Sequence, residues 1–478
     1  MLSKILLTNG ANVNCVYQSI LTPLHSAAYK DNLEITTLLL EFGARTDISL
    51  PSLGTPLHLV CQKSNKEMIK LLLNKGSNVN SLNENNETPL HIAVKYVKLV
   101  TVETLLEFGA SVNCPDKFDR TPLDYAVRYK YYQICEVLIK NGADIEYRNT
   151  KFETPLHTAC RGSGNGNIIK LLIRSGANVN ALNNVKETPI FHMVKNYSKY
   201  ESYETLKIIL CSRANPDILN KNGVSPLMLA VNKSNLAAMR ILLRFSADID
   251  LQNEYGETAL HIACHGKNDV NVVALLLSGG ASINIKNHSR ETPVMIAFLN
   301  SNITIQNMIS EHILKLKCAN LYVSKLNQEF TEIIINETWS MQNNVIFSRQ
   351  NALLKLACEN ELNFMKQRSI PGTNLTLYNI LIGTNNQIYQ YTRNKKVSNY
   401  FRIHSLFLCH VYGDLIINNL RKGFKRNKLL EIISGVLPET SKYFFRLPWT
   451  CVEKILSFLP NSDLIKIIDA CKYTFRKL

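Results

Sequence analysis

Apolar positions along this chain gather into two short clusters that alternate with polar, turn-forming stretches. The first cluster follows Thr-Pro, where Leu57, Leu90, Ala93, Ala126 and Ala159 mark the apolar face of a short helix. Pro suits the first helical turn because its φ is already helical and its missing N–H would have no partner there. The preceding Thr is placed to cap that turn. The second cluster, as in Ile69-Lys-Leu-Leu-Leu and Ile168-Ile-Lys-Leu-Leu-Ile, predicts an outer helix. Gly43, Gly76, Gly109, Gly142, Gly176 and Gly280 end it, as expected of a left-handed residue just past a helix. Val-Asn or Ile-Asp then leads through a short hairpin to the next Thr-Pro. The Thr-Pro-Leu-His motif begins at Thr22, Thr55, Thr88 and Thr154, with degraded copies at Thr121, Thr188, Ser225, Thr258 and Thr292. Successive starts lie 33 to 37 residues apart. A single unit of this size cannot bury its own apolar face, so neighbours must stack.

Nine copies in register identify an ankyrin-type solenoid. The expected fold is all-α: helix pairs with short β-hairpin turns over residues 1–318, about nine repeats plus a partial first one. Some copies depart from the pattern. The residue two before the Thr is Gly only at Gly223 and Gly256, and is Asn86, Asp119, Phe152, Lys186 or Arg290 elsewhere. Asn and Asp tolerate positive φ but Phe does not, so the tips are expected to differ in shape. The copy starting at Thr188 carries extra residues around Asn196–Tyr203, making the middle of the solenoid its most irregular part. Lys4–Asn14 aligns with Lys70–Asn80, so the chain starts inside a repeat, and a reading frame shortened at its start is the expectation.

After Thr292 the repeat fades. Thr304–Cys318 can form an outer helix, but neither Gly-Ala nor Val-Asn follows it. Amphipathic segments at Leu321–Ile335 and Asn351–Met365, and a turn at Ile370–Asn374, predict a helical connecting domain over residues 319–445. Residues 446–478 form a distinct last segment. Val452, Ile455, Leu456 and Leu459 follow helical spacing after Leu447-Pro448, and Pro460-Asn-Ser ends that helix and caps a second. Asp463 falls in the first turn of the second helix, where an anion is favoured.

This last segment resembles an F-box, the helical motif that binds the Skp adaptor of cullin–RING (SCF-type) ubiquitin ligases. Cys358–Lys366 and Leu377–Ile382 resemble the C-terminal domain of poxvirus ankyrin-repeat proteins, which place a shortened F-box-like segment after their repeats. The resemblance implies that Leu447, Pro448, Ile455, Leu456, Leu459, Asp463 and Leu464 face the adaptor. Two departures stand out: Trp449-Thr-Cys replaces the usual acidic-aliphatic pair, and the chain stops soon after Lys472.

Composition narrows the function. No apolar run reaches the roughly 18 residues of a membrane span. Met1–Leu7 runs straight into a repeat, which argues against a signal peptide. The cysteines are scattered without a CxxC pair and read as reduced core residues of an intracellular protein. Residues 1–300 hold 31 Lys/Arg against 26 Asp/Glu, and residues 301–478 hold 23 against 12, so the C-terminal part is the basic one. That balance suggests an acidic partner there, though no recognised nucleic-acid module supports nucleic acid. The basic stretch Leu420–Lys428 reads as a solvated helix end, with nuclear targeting or an acidic-partner surface as the alternatives. His25, His58, His91, His157 and His261 recur at one repeat position and are expected to hydrogen-bond within and between repeats instead of binding metal. Gly162-Ser-Gly-Asn-Gly166 lacks a preceding strand and a GK[ST], so it is a loop and not a phosphate cradle. No catalytic motif appears, and no cofactor is expected.

One surface pattern remains. Residues after the inner-helix Ala position form a cationic stripe with interleaved tyrosines: Lys63, Lys95, Tyr96, Arg128, Tyr129, Arg161, Lys195 and Lys233. It is either a set of basic helix ends offsetting the macrodipole or a partner-binding surface, for which Tyr and Arg are preferred anchors. On the binding reading, changing Lys95, Arg128 and Arg161 together to Glu should abolish capture without unfolding the protein. The expectation is a substrate receptor of the host cytoplasm, with the nucleus as the other compartment. It would capture a host protein and link it to an SCF-type ligase through the Skp adaptor and cullin. The alternative is a stoichiometric blocker that sequesters a host signalling protein without ubiquitination.

Overall fold

A computed structural model describes residues 6–393, apart from 17–20, 162–165, 196–200, 266–268, 301, 326, 330–343, 368–369, 371–372 and 383–384. The chain forms two compact units, residues 1–221 and 222–478. Helix pairs build both. In the first, inner helices open at Pro23, Pro56, Pro89, Pro122, Pro155 and Pro189, and outer helices at Leu33, Lys66, Leu99, Tyr132, Gly166 and Glu201. The second continues with inner helices Pro226–Asn232, Ala259–Cys264 and Pro293–Leu299 and their outer partners Leu236–Arg244, Val270–Ser278 and Ile303–Cys318. Within each unit, inner helices pack on inner and outer on outer. The packing buries Leu57, Leu90, Leu123 and Leu156 completely. The irregular copy has an 11-residue outer helix, Glu201–Cys211, where the others in its unit have nine.

The inner helices start as their sequence dictates. Thr22, Thr88, Thr121, Ser225, Thr258 and Thr292 cap them in extended conformation, each side chain accepting the N–H three residues on. Histidine at that third position completes the lock. Thr55, Thr88, Thr154 and Thr258 donate their backbone N–H to Nδ1 of His58, His91, His157 and His261 at 3.0–3.1 Å. Nδ1 is therefore an acceptor, and the proton sits on Nε2. Nε2 donates to the next repeat's carbonyl at Glu87, Arg120, Glu187 and Glu291, 2.9–3.1 Å away. Each neutral ring thus joins two repeats, as the sequence suggested.

In the copy starting at Thr188 this lock is absent. Phe191 takes the histidine's place, and the buried Thr188 hydroxyl has no hydrogen-bond partner. A hydroxyl left unsatisfied in a core contributes nothing that valine would lose. Thr188→Val should therefore change stability by less than about 0.5 kcal/mol, whereas Thr88→Val should cost about 1 kcal/mol. Equal losses in paired thermal melts would contradict this reading.

The expected β-hairpins are not strands. Bridge positions are isolated: Leu50 pairs with Gly54, and Leu21 and Thr376 are single bridge residues. The tips are tight turns closed by backbone bonds, as in Asn83 N–H to Glu87 O with Asn86 N–H to Asn83 O, and Asn253 N–H to Glu257 O with Gly256 N–H to Asn253 O. Single bonds join neighbouring tips, Lys117 N–H to Asn85 O and His288 N–H to Tyr255 O among them. One pairing per repeat is too little for a ladder. Nor do the tips differ in shape: Phe152, Lys186 and Arg290 have φ of 58°, 58° and 63°, alongside Asn86 and Asp119 at 55° and 59°. The Asn149 side chain explains this at Phe152, since its Oδ1 accepts from both Lys151 N and Glu153 N and holds the turn whatever residue sits between. The left-handed conformation costs a side chain such as Phe roughly 1–2 kcal/mol, and Phe152 is exposed. Phe152→Asn should raise stability by about 0.5–1 kcal/mol; a lower melting temperature would refute the strain.

The second unit corrects the reading of the repeat's end. The 16-residue helix Ile303–Cys318 does stop in a left-handed residue, Asn320 (φ 56°), which takes the place of Gly. Leu321–Ser324 then behaves as a repeat linker, and helix resumes only at Lys325, four residues later than expected. Ser324 N–H donates to Asn284 Oδ1 at 2.9 Å. The same clamp joins Asn80 to Ser111 N–H, Asn113 to Asp144 N–H and Asp250 to Ser282 N–H. Asn327, fully buried, donates to the Ile283 carbonyl and accepts from the Thr292 hydroxyl. Helices Asn344–Gln367, Leu377–Ile382 and Asn385–Arg393 follow. Cys358, Leu362, Met365, Ile380, Leu381 and Ile388 share a core with Cys318, Ala319 and Leu321.

Candidate partner-binding face

The ends of the inner helices carry the stripe, and the geometry sorts its members. A glutamate precedes Thr in five repeats, at Glu87, Glu153, Glu187, Glu257 and Glu291. In the first four, its carboxylate reaches the basic residue eight positions on. Lys95 pairs with Glu87, Arg161 with Glu153, Lys195 with Glu187 at 2.7 Å, and His265 with Glu257 at 2.9 Å. Glu87, Glu153 and Glu187 are buried, so these cations belong to the fold before they belong to any partner. Burial alone would raise the Glu153 carboxyl, but Arg161 and His192 hold it below the usual carboxylate range. The Lys63 ammonium donates to the Tyr29 carbonyl and lies 5.4 Å from that ring's centroid.

The expected triple replacement is therefore not a clean test. Lys95→Glu and Arg161→Glu would each set a second carboxylate against a buried one. Removing the partner of a buried charge is strongly destabilising, by about 3 kcal/mol at full burial and less at these half-exposed ends. Two of the three substitutions should lower the melting temperature on their own. Sequence reasoning missed these pairs, although the signal was present: Glu-Thr, with Asn four residues before the Glu, recurs wherever the pair forms. Asn83 and Asn253 orient their glutamates through Nδ2 at 3.0 and 3.1 Å.

Exposed members of the stripe are Tyr96, Arg128, Tyr129, Lys195 and, in the second unit, Lys233. Tyr129 does not stand alone. It stacks on Tyr125 (6.2 Å, 19°) and on Tyr131 (5.8 Å, 26°). Tyr125, buried, donates its hydroxyl to Asp116 at 2.6 Å and lies under Lys95 at 4.6 Å and Arg120 at 5.6 Å. The result is a rigid aromatic–cation cluster on the repeat that begins at Thr121. The recurring histidines have both ring nitrogens engaged, and among the described residues no group of three His, Cys, Asp or Glu could hold a metal ion. No described helix is long and apolar enough to cross a membrane. Leu447, Pro448, Ile455, Leu456, Leu459, Asp463 and Leu464 lie outside the described residues, as does the basic stretch 420–428.

Comparison with known proteins identifies the class. A family model for ankyrin repeats (3 copies) matches residues 2–83, 57–149 and 195–287, more than half of the chain. A single ankyrin-repeat model matches 152–184, and a PRANC domain model matches 372–469. The chain belongs to the ankyrin-repeat proteins and carries the F-box-like C-terminal PRANC domain of poxvirus members. It is similar to an ankyrin repeat domain-containing protein of monkeypox virus, OPG023, at 28% identity over 284 residues, 56% of this chain and 39% of that protein. Ankyrin repeat protein 14 of vaccinia virus (strain Western Reserve) is 27% identical over 235 residues, 46% of this chain and 95% of that protein. A putative ankyrin repeat protein of fowlpox virus (strain NVSL), FPV031, is 23% identical over 292 residues, 58% of this chain and 80% of that one. The chain thus spans about two fifths of the monkeypox relative and most of the other two.

Proposed function

We propose that this protein is a substrate receptor. Its repeats capture a host protein, and its F-box-like segment links that protein to an SCF-type ligase through the Skp adaptor. The observation that carries the reading is the order of parts: protein-binding repeats first, then a PRANC match over 372–469 that contains Leu447-Pro448 and Ile455-Leu-Ser-Phe-Leu459. In such an arrangement the chain supplies proximity, and ubiquitin transfer is carried out by other subunits. The site of action on this reading is the host cytoplasm or nucleus. Capture falls to the exposed part of the stripe, because cations already paired with buried glutamates have little charge left to offer.

The test is recovery of the adaptor and cullin with the tagged full-length protein from host cells. Deleting residues 446–478 should abolish that recovery while capture by the repeats persists. Recovery that survives the deletion would place the adaptor contact elsewhere and overturn the assignment.

A further inference from the structure

The repeat starting at Thr121 inverts the charge found in the five repeats where a glutamate precedes Thr. Where Glu87, Glu153 and Glu187 precede Thr, the repeat starting at Thr121 has Arg120. The basic position eight residues on is Arg128, so this repeat holds two arginines and no glutamate between them. The nearby acids are committed elsewhere. Asp116 accepts from Phe118 N, Arg120 N and the Tyr125 hydroxyl. Asp119 accepts from the Tyr147 hydroxyl, and Asp124 from the Thr121 backbone and side chain. Arg120 is folded over the rings of Phe118 and Tyr125, at 4.8 and 5.6 Å. Arg128 is exposed and makes no salt bridge among the described residues, although its charge is felt by the buried Asp124 carboxyl. Beside it stands Tyr129, 48% exposed and fixed by stacking on Tyr125 and Tyr131, and Tyr96 (50%) holds the same position one repeat earlier.

We propose that Arg128, with Tyr96 and Tyr129, is the carboxylate-binding subsite of the capture face and takes an Asp or Glu side chain from an acidic peptide segment of the captured protein. The inference rests on the capture reading above and names the chemistry it recognises. An unpaired guanidinium presents a planar fork that fits a carboxylate bidentately. Tyr129 is already ordered by stacking, so contact with it costs little side-chain entropy. A nucleic acid fits less well. Backbone binding needs several uncompensated cations in a row, and here Lys95, Arg161 and Lys195 are each neutralised by a glutamate.

The probe is a phage-displayed random dodecapeptide library selected on the full-length protein. The strongest peptide is then made with a fluorescein label and measured by anisotropy. Selected peptides should be enriched in Asp and Glu, and Arg128→Gln should weaken the labelled peptide about tenfold or more. The same variant should melt close to the wild type, because Arg128 is exposed and makes no hydrogen bond or salt bridge among the described residues. Lys117→Gln, which removes one exposed charge at a hairpin tip, should leave affinity unchanged. Absence of carboxylate enrichment, wild-type affinity in Arg128→Gln, an equal loss in Lys117→Gln, or preference for a single-stranded oligonucleotide over the peptide would each overturn the subsite. The ligase reading is tested separately. Arg128→Gln should still recover the adaptor, and a wild-type protein that selects acidic peptides but never recovers the adaptor would keep the subsite and lose the ligase link.

Discussion

Replacing Leu447 and Pro448 together by alanine is expected to eliminate co-purification of the Skp adaptor and cullin while leaving capture by the repeats intact. The expectation rests on the resemblance of the last segment to an F-box, which implies that Leu447, Pro448, Ile455, Leu456 and Leu459 face the adaptor. Truncating a buried leucine in a well-packed contact costs about 2–5 kcal/mol, or from tens to thousands of fold in affinity. Loss of a neighbouring proline contact on the same face adds to that. An apolar contact is also insensitive to ionic strength, whereas an arginine–carboxylate contact is screened by salt. Raising the salt concentration should therefore release the captured protein before it releases the adaptor. Release in the opposite order would mean that the two surfaces have been assigned the wrong chemistry.

Acid should destabilise the repeats well before the paired glutamates are protonated. Burial lowers the pKa of His25, His91, His157 and His261 from the ordinary value and takes His58, His192 and His312 down to about 4. The structural reason at the repeating position is that Nδ1 must stay free of a proton to accept the Thr N–H. In the unfolded chain these rings titrate near 6.5. As pH falls, the unfolded state binds protons first, so stability is full above about pH 6.5 and is lost as the pH approaches 4. Each ring held neutral to about pH 4 removes roughly 2 kcal/mol on going from pH 7 to pH 5. The paired carboxylates of Glu153 and Glu257, held low by Arg161 and His265, add a further loss of the same sign only below about pH 4.5. Chemical denaturation at pH 7, 6 and 5 should show stability dropping by several kcal/mol across that range. A flat profile would mean that the rings are not locked in the neutral form.

Local chemistry made the repeats legible. Thr before Pro, histidine two residues after that Pro, and Gly after the outer helix each act within a few residues of themselves, so their spacing reported the fold directly. The histidines' role followed from the same regularity. What the sequence hid was chemistry acting across a turn. The Glu87–Lys95 type of pair joins a hairpin to the far end of a helix, and only the fold brings the two together. The stripe therefore looked more cationic in the sequence than it is in the structure. Phe152 was misjudged because its own preference was weighed without the Asn149 side chain that dictates the turn. The repeat appeared to fade after Thr292 because Asn320 had replaced the expected Gly and the outer helix had lengthened to 16 residues. The charge-exchanged repeat at Thr121 was visible as Asp116 and Arg120 standing where Asn and Glu stand elsewhere, but its meaning depended on knowing that the glutamates are paired.

The central claim is that one chain bridges a captured protein and a ligase. It is tested most directly by a two-step purification from host cells, first through a tag on this protein and then through the adaptor, with the eluate identified by mass spectrometry. The account predicts cullin and a captured host protein together in that eluate, and a rise in the host protein's level when the proteasome is inhibited. If the first step from the wild-type protein recovers a host protein but never the adaptor, the bridging claim is wrong and the protein acts by sequestration.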